Sequence, residues 1–224
     1  MVFEAKNFRD LSYLVRYPKN FREGERYPVI LTLHGAGFRG NNVEKLKNYR
    51  LFTCTERNDD LPFVVVLPQC NKNTWFDHFE TLKEFALEIA GASFTDPERY
   101  YLMGVSMGGY GTWQLAMSMP ELFAAIIPIC GGGMYWNASR LVNVPVWAFH
   151  GEKDNDVFVE ESIKMVQAVN KAGGKAELTL YPEHGHDVWT DTFRNPRTFE
   201  WLLEHKNSNA LQIADKYKDG TLYG

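Results

Sequence analysis

Short apolar runs alternate with amphipathic stretches along most of the chain. Residues 63–67 form an unbroken apolar run rich in valine, which is typical of a strand buried on both faces of a sheet. Residues 81–90 place four large apolar side chains among lysine and glutamate, which is typical of a helix packed on a sheet. Because the two patterns recur, we expect strands and helices to alternate.

The other elements follow from the same patterns and from helix-breaking residues. Further strands are predicted at residues 11–17, 29–33, 100–105, 123–129, 144–149 and 176–181. Further helices are predicted at residues 107–118, 159–171 and 196–205, bounded by Pro120, Gly173 and Pro196. This alternation predicts one α/β domain over residues 1–224, with a mostly parallel sheet covered by helices on both sides.

The composition narrows the function classes. The chain has 224 residues, of which 45% are hydrophobic, so it can bury a sizeable core and is not a disordered chain. Its net charge of −4 offers no basic surface for nucleic acid or an anionic membrane. We therefore expect neither as a partner, and a small uncharged molecule as the substrate. The oligomeric state is not indicated.

The first residues and the cysteines bear on the cellular compartment. Residues 1–13 carry four charges and no apolar stretch of signal-peptide length, and the longest apolar runs are too short to span a bilayer. The three cysteines, Cys54, Cys70 and Cys130, lack metal-like spacing. Because their number is also odd, we expect reduced thiols rather than a Cys54–Cys70 disulfide. Reduced thiols are typical of a cytoplasmic protein, which is the location that we expect.

A serine stands at the junction of a predicted strand and a predicted helix. Residues 104–108 have the sequence Gly-Val-Ser-Met-Gly and fit the pattern G-x-S-x-G. Between a strand and a helix, such glycines permit a tight turn that exposes the serine hydroxyl at the carboxyl end of the strands. A serine hydroxyl needs a base to remove its proton, so Ser106 is predicted to be a nucleophile with partners elsewhere in the chain.

The predicted acid follows the strand at residues 144–149. Carboxylates just beyond the carboxyl end of a parallel strand lie on the same sheet edge as the nucleophile. Asp154 is the favoured residue and Asp156 the alternative, whereas Glu152 lies too close to the strand end. The acid is expected to hold the imidazole of the base in the correct tautomer.

The predicted base follows the strand at residues 176–181. His186 is favoured over His184 because Gly185 lets the loop turn the imidazole of His186 inward. A metal site built from His184, His186 and Asp187 is the alternative, but no further ligand elsewhere in the sequence completes it convincingly. We therefore expect no metal and no cofactor.

An oxyanion hole is predicted in the loop after the strand at residues 29–33. Residues 34–37 have the sequence His-Gly-Ala-Gly. The backbone N–H groups of Ala36 and Met107 are the predicted donors, with Gly37 as the second choice for the former. His34 is expected to bond neighbouring loops through its ring.

Taken together, these motifs carry a family resemblance. The sequence resembles the compact esterase and peptidase branch of the α/β-hydrolase superfamily, near carboxylesterases, polyhydroxybutyrate-depolymerase-like esterases and prolyl-oligopeptidase catalytic domains. The resemblance rests on four segments in the expected order, at residues 33–37, 104–109, 145–154 and 181–189. It implies an α/β-hydrolase fold and an acid at Asp154. Relatives often have valine and proline shortly after this aspartate; residues 155–158 depart from that pattern, which keeps Asp156 as the alternative acid.

The resemblance also implies a reaction class. We expect a serine esterase that cleaves carboxylic esters through an acyl-enzyme, with a serine peptidase or amidase, an acyltransferase or a non-catalytic binding module as alternatives. No insertion at residues 123–144 is long enough for a large lid, so the site is expected to be open. Aromatic side chains expected to border it suit a small or medium acyl group or an aryl, feruloyl-type one. These are Trp75, Tyr110, Tyr135, Trp136 and Trp189.

Overall fold

One mixed sheet organises the part of the chain that the computed structural model describes, residues 2–54, 61–208 and 216. Its eight strands in these residues have the spatial order β1-β2-β4-β3-β5-β6-β7-β8. The strands are β1 Val2–Phe8, β2 Leu11–Tyr17, β3 Tyr27–Leu33, β4 Val64–Pro68, β5 Thr95–Val105, β6 Ala125–Ile129, β7 Val146–Gly151 and β8 Ala176–Tyr181. The pairs β1–β2 and β2–β4 are antiparallel and all the others are parallel.

Helices cover both faces of the sheet. The α-helices are α1 Arg50–Thr53, α2 Phe79–Ala90, α3 Met107–Ser118, α4 Glu160–Lys171, α5 Trp189–Arg194 and α6 Pro196–Leu203. Short 3-10 helices lie at Ala36–Phe38, Val43–Asn48, Trp75–His78 and Tyr135–Leu141. Successive strand side chains point to opposite faces, so each strand contributes to two cores. Helices α2, α3 and α4 pack in one core, and α1, α5 and α6 in the other.

The predicted fold class is confirmed: the sheet is mostly parallel, with helices on both sides, as in α/β-hydrolases. Three predicted elements have the observed bounds, namely β2, α3 and β8. Strand β5 begins at Thr95, five residues before the predicted start, and β6 begins at Ala125, two residues after it. The single domain over residues 1–224 includes stretches outside the described residues and stays a prediction.

Three smaller expectations concern the cysteines, the lid and the membrane. All three cysteines are free thiols, with Cys70 and Cys130 buried. The connection from β6 to β7 carries only the 3-10 helix Tyr135–Leu141. Among the described residues, no helix is both long and apolar enough to cross a membrane.

Candidate active site

The carboxyl ends of the parallel strands meet at one edge of the sheet. The loops after β3, β5, β7 and β8 all begin there because these strands run in the same direction. In open α/β sheets this edge is where ligands bind. Each residue predicted for the triad and the oxyanion hole lies on or next to one of these loops.

Ser106 occupies a sharp turn between β5 and α3. Its backbone angles are φ 56° and ψ −118°, a region that costs a non-glycine residue about 1–3 kcal/mol. The turn is held because the Ser106 N–H donates to the carbonyl of Ile129 at 2.8 Å. A Cβ on Gly108 would lie 1.9 Å from the carbonyl oxygen of Leu33, so only glycine permits this approach.

Asp154 is buried beneath the edge and its two oxygens have different partners. Oδ1 accepts the backbone N–H groups of Asp156 and Val157, each at 2.9 Å. Oδ2 accepts from Nδ1 of His186 at 2.7 Å. Burial alone would raise the pKa of the Asp154 carboxyl, but these three hydrogen bonds outweigh it and lower the pKa below the usual value. The carboxylate is therefore ionised at neutral pH.

His186 links the acid to the serine. Its Nε2 lies 2.8 Å from Ser106 Oγ, while Nδ1 faces Asp154. The Cys130 thiol donates to the His186 carbonyl at 3.2 Å from behind. Burial and, next, the Asp154 charge raise the pKa of that thiol, so it stays neutral. The structure thus brings together the three residues that the sequence predicts; their catalytic role stays a prediction.

The loops that carry the acid and the base are joined by backbone contacts. Lys153 N–H donates to the His184 carbonyl at 2.9 Å. Gly151, at the end of β7, lies so close to the other loop that a Cβ would be 2.1 Å from the Gly185 carbonyl oxygen and 2.5 Å from that of His184. Glycine at this position therefore sets the spacing between the two loops.

The predicted oxyanion donors flank the serine. Ala36 and Met107 are each the first residue of a helical segment, where a backbone N–H has no partner within the helix. The loop after β3 passes directly over the serine, since a Cβ on Gly35 would lie 3.3 Å from Ser106 Cβ. Such N–H groups can bind an anion that forms on a substrate carbonyl. This role stays a prediction for both residues.

His34 forms hydrogen bonds through both ring nitrogens, and one of these bonds joins its loop to a neighbouring loop, as expected from the sequence. Nδ1 donates to the Gly35 carbonyl at 2.7 Å, and Nε2 accepts the Cys70 N–H at 3.0 Å. This pattern requires a neutral ring. Burial lowers the pKa of His34 to about 4, so the ring stays neutral well below pH 7.

The alternative acid and the alternative metal site have different surroundings. Asp156 is exposed, and its carboxylate lies within 4.8 Å of the ligand atoms of Asp154 and His186. His184 bonds Asp191 at 2.7 Å instead, and Asp187 bonds Thr190, so the alternative metal set of His184, His186 and Asp187 is not assembled. A second set of metal-capable side chains joins Cys130 and His150 to Asp154. Both oxygens of Asp154 already accept hydrogen bonds, so we interpret both sets as parts of one hydrogen-bond network.

A cavity of about 310 Å³ opens beside Ser106 and His186. Its walls include the side chains of Phe38, Tyr49 and Trp189, with Arg50 also in its lining. The Trp189 ring stands edge-on to the His186 ring at 5.2 Å between centroids. Phe38 and Tyr49 were not predicted, although both come soon after the oxyanion loop, which is the one sequence signal for them.

The other predicted aromatic residues do not line this cavity. The prediction for Trp75 was wrong: its side chain is buried and donates Nε1–H to the His34 carbonyl at 3.0 Å, so it supports the loop after β3. Trp136 is 71% exposed and packs on Tyr135 at 5.3 Å. Tyr110 is partly buried on α3, and burial raises the pKa of its hydroxyl.

Comparisons with known proteins identify the family. Residues 56–202, about two thirds of the chain, match the family model described as "Dienelactone hydrolase family". The chain belongs to the dienelactone hydrolase family. Within the α/β-hydrolase superfamily, this is a family of hydrolases, which agrees with the esterase and peptidase resemblance of the sequence.

Solved and curated relatives place this dienelactone hydrolase family member among esterases and peptidases. A thermostable esterase of known structure is 32% identical, with a TM-score of 0.80 over 91% of this chain and 63% of that one. A ferulic acid esterase shares the fold, at 18% identity and a TM-score of 0.71, over 91% of this chain and 97% of that one. Dipeptidyl-peptidase 4 of Giardia intestinalis is 23% identical over 83% of this chain and 31% of that protein. The chain therefore spans about a third of the length of that curated relative.

Proposed function

We propose that this protein is a serine esterase that cleaves small or medium carboxylic esters through an acyl-enzyme. The observation that carries the proposal is the relay in which His186 Nε2 lies 2.8 Å from Ser106 Oγ while Nδ1 lies 2.7 Å from Asp154 Oδ2. A neutral imidazole in this position can take the serine proton as the new bond forms.

The acylation step follows from this geometry. Ser106 Oγ attacks the ester carbonyl carbon, and its proton passes to His186 Nε2. The carbonyl oxygen becomes negative and accepts hydrogen bonds from the N–H groups of Ala36 and Met107. The C–O bond to the alcohol then breaks, and the proton on His186 goes to the departing alkoxide oxygen.

Deacylation repeats the sequence with water. Water gives one proton to His186 Nε2 and attacks the acyl carbon, and the bond from that carbon to Ser106 Oγ breaks. The serine oxygen recovers the proton, and the acid product leaves. Throughout, the ionised Asp154 stabilises the imidazolium of His186 without taking its proton.

The cavity favours an acyl group of moderate size. Its volume of about 310 Å³ and its aromatic walls, with Phe38 and Trp189, suit a short aliphatic or a single-ring aryl acyl group. The likeness to a ferulic acid esterase supports only the fold, so the aryl, feruloyl-type preference rests on these side chains.

A serine peptidase with the same triad is the second candidate. The similarity to a dipeptidyl-peptidase favours it, since peptidases of that kind occur among the relatives. An ester and an anilide with the same acyl group, compared by kcat/KM, separate the two. A preference for the ester supports the esterase, and a preference for the anilide assigns the protein to the peptidases.

The decisive experiment compares Ser106→Ala with Ser139→Ala on p-nitrophenyl acetate. Ser139 is exposed on the 3-10 helix Tyr135–Leu141 and serves as the matched control. Ser106→Ala is expected to abolish hydrolysis and labelling by a fluorophosphonate while its circular dichroism stays that of the wild type. A fully active Ser106→Ala protein would remove the basis of the proposal.

A further inference from the structure

A second imidazole contacts the buried carboxylate of Asp154. His150 belongs to β7, and its side chain is fully buried. Its Nε2 lies 3.2 Å from Asp154 Oδ2, the same oxygen that accepts from His186. The proposed mechanism gives this imidazole no task, although it lies beside the acid, at a longer distance than the 2.7 Å of His186 Nδ1.

The surroundings of Nε2 require a hydrogen on that nitrogen. Besides the carboxylate of Asp154, Nε2 faces the backbone carbonyl of Val157 at 2.9 Å. Ionised carboxylate and carbonyl oxygens accept hydrogen bonds and cannot donate them. His150 Nε2 is therefore a donor.

The surroundings of Nδ1 require a hydrogen on that nitrogen as well. Nδ1 lies 2.7 Å from the Ser162 hydroxyl, and that hydroxyl lies 2.9 Å from the Gly131 carbonyl. A hydroxyl has one hydrogen, and the carbonyl can only accept it, so the Ser162 oxygen is left to accept from Nδ1. An imidazole that donates from both nitrogens is a cation.

The charges around His150 fit a buried cation. From the loop after β6, Cys130 contributes a neutral thiol; from α4, Ser162 contributes an uncharged hydroxyl; from the loop after β8, His186 is neutral in the resting state of the proposed mechanism. Asp154 is the buried anion beside it, and the exposed Asp156 adds a carboxylate on the solvent side. A buried charge needs a partner and hydrogen bonds, and His150 has both.

We propose that His150 is a positioning residue: as a buried imidazolium it holds Asp154 Oδ2 jointly with His186 and offsets the charge of the carboxylate. The role rests on the triad of the proposed function. Because like charges repel, the cation acts against a second positive charge on His186.

The first test replaces the charge but keeps a donor. His150→Gln places an uncharged N–H near the position of Nε2. The acidic midpoint of the pH profile of kcat/KM is expected to rise by about 0.5–1 pH unit, because the imidazolium of His186 loses a repelling neighbour. We also expect kcat to fall about tenfold, with KM within about twofold, because only the alignment of the base changes.

The matched control is His205→Gln. His205 lies after α6, with its Nδ1 2.8 Å from the Trp201 carbonyl, and has no contact with the triad. Its pH profile is expected to be that of the wild type. A His150→Gln profile that superimposes on the wild type would overturn the proposal, whereas an active Ser106→Ala protein would overturn the proposed function itself.

The second test needs no variant. Nitrogen-15 NMR of histidine-labelled wild-type protein at pH 8 is expected to show one imidazole protonated on both nitrogens, with ring hydrogens that exchange slowly with solvent because the ring is fully buried. Absence of such a ring would overturn the proposal even where His150→Gln fails to fold. His184, whose carboxylate partner is Asp191, is partly exposed and would exchange quickly. His78 is buried and lies 3.7 Å from Asp10, but burial lowers the pKa of its ring, so it is expected to stay neutral.

Discussion

Two histidines two residues apart on the loop after β8 each pair with an aspartate, and the two bond lengths are the same. His184 Nε2 lies 2.7 Å from Asp191 Oδ2, and His186 Nδ1 lies 2.7 Å from Asp154 Oδ2. The aspartate side chains differ sharply, since that of Asp154 is fully buried and that of Asp191 is 46% exposed. Distance alone therefore does not tell which pair could do chemistry.

The difference lies in what each pair touches next. The Asp154 carboxylate has two backbone N–H donors of its own, and the far nitrogen of His186 faces the serine hydroxyl. The outer pair, His184 and Asp191, is partly exposed to solvent, and an exposed pair contributes at most about 1 kcal/mol to stability. Burial, fixed donors and a third partner distinguish the pair that we propose to be catalytic from the surface pair.

The largest expected effect separates the two histidines. His186→Ala is expected to lower kcat for p-nitrophenyl acetate by at least about 10⁴-fold, because the serine loses its base. His184→Ala is expected to change kcat by less than about threefold, because exposed pairs of its kind contribute little. Equal losses in steady-state assays would mean that the outer pair also takes part in the chemistry.

The aspartates are expected to follow the same order with a smaller effect. Asp154→Asn should lower kcat by about 10³–10⁴-fold, since the amide presents the wrong group to His186 Nδ1. Asp191→Asn should leave kcat within about threefold, because its carboxylate is largely hydrated. Asp156→Asn provides the remaining comparison. A greater loss in Asp156→Asn than in Asp154→Asn would transfer the role of the acid to Asp156.

A third imidazole, His34, extends the comparison to a buried ring without a carboxylate. Its folded-state pKa of about 4 lies below the ordinary value of 6.5, so the unfolded chain binds this proton first as pH falls. The contribution of the neutral, buried His34 ring to the free energy of unfolding is fully present above pH 6.5 and is lost as the pH falls to 4. That loss is about 3 kcal/mol in the free energy of unfolding.

The check is urea unfolding of the wild type and of His34→Gln between pH 7 and pH 4. The stability gap between the two proteins is expected to narrow by about 3 kcal/mol over that range, since only the wild type carries the buried ring. A gap that stays constant with pH would contradict the neutral, buried state of His34.

Gly151 tests whether the spacing between the two loops matters. Gly151→Ala places a methyl group against two backbone carbonyls, at 2.1 Å and 2.5 Å, which cannot move aside cheaply. We expect a loss of about 1–3 kcal/mol in unfolding free energy, with a fall in kcat as His186 shifts. Gly185→Ala is the matched stability control, because its nearest atom, the Lys153 carbonyl oxygen, is 3.6 Å away. Equal stabilities of the two variants would contradict the tight contact.

The smallest expected effect concerns the cavity wall beside His186. Trp189→Ala should lower kcat/KM for an aryl acyl ester about tenfold more than for the acetyl ester, because a large acyl group loses a packing surface. Trp136→Ala is the control, since its exposed side chain lies outside the cavity. A ratio of the two esters that is unchanged in Trp189→Ala would argue for a different acyl pocket.

The sequence predicted seven of the eight strands in the described residues and missed one edge strand, β1. Strand β1 was missed because it is an edge strand with Glu4 and Lys6 among its residues, so it lacks an apolar pattern. Central strands such as β4 bury every residue, and an unbroken apolar run identifies them.

In the candidate site, the three triad residues could be predicted from the sequence and the cavity as a whole could not. Ser106, Asp154 and His186 could be predicted because each follows a strand in a required order, and the parallel sheet brings such positions to one edge. The cavity could not be predicted, since Phe38 and Tyr49 reach it through short 3-10 turns that have no periodic pattern. Nearness in sequence also does not give side-chain direction, which is why Trp75 was expected in the cavity and lies in the core.

The backbone angles of Ser106 have a consequence for how this protein responds to selection. At a φ of 56°, glycine adopts the turn with less strain than serine, so Ser106→Gly is expected to raise the thermal tolerance, whereas under the proposed function it removes the activity. A laboratory selection for heat resistance that ignores turnover is therefore expected to favour replacement of the proposed nucleophile. Under the proposed function, stability and catalysis compete at this position.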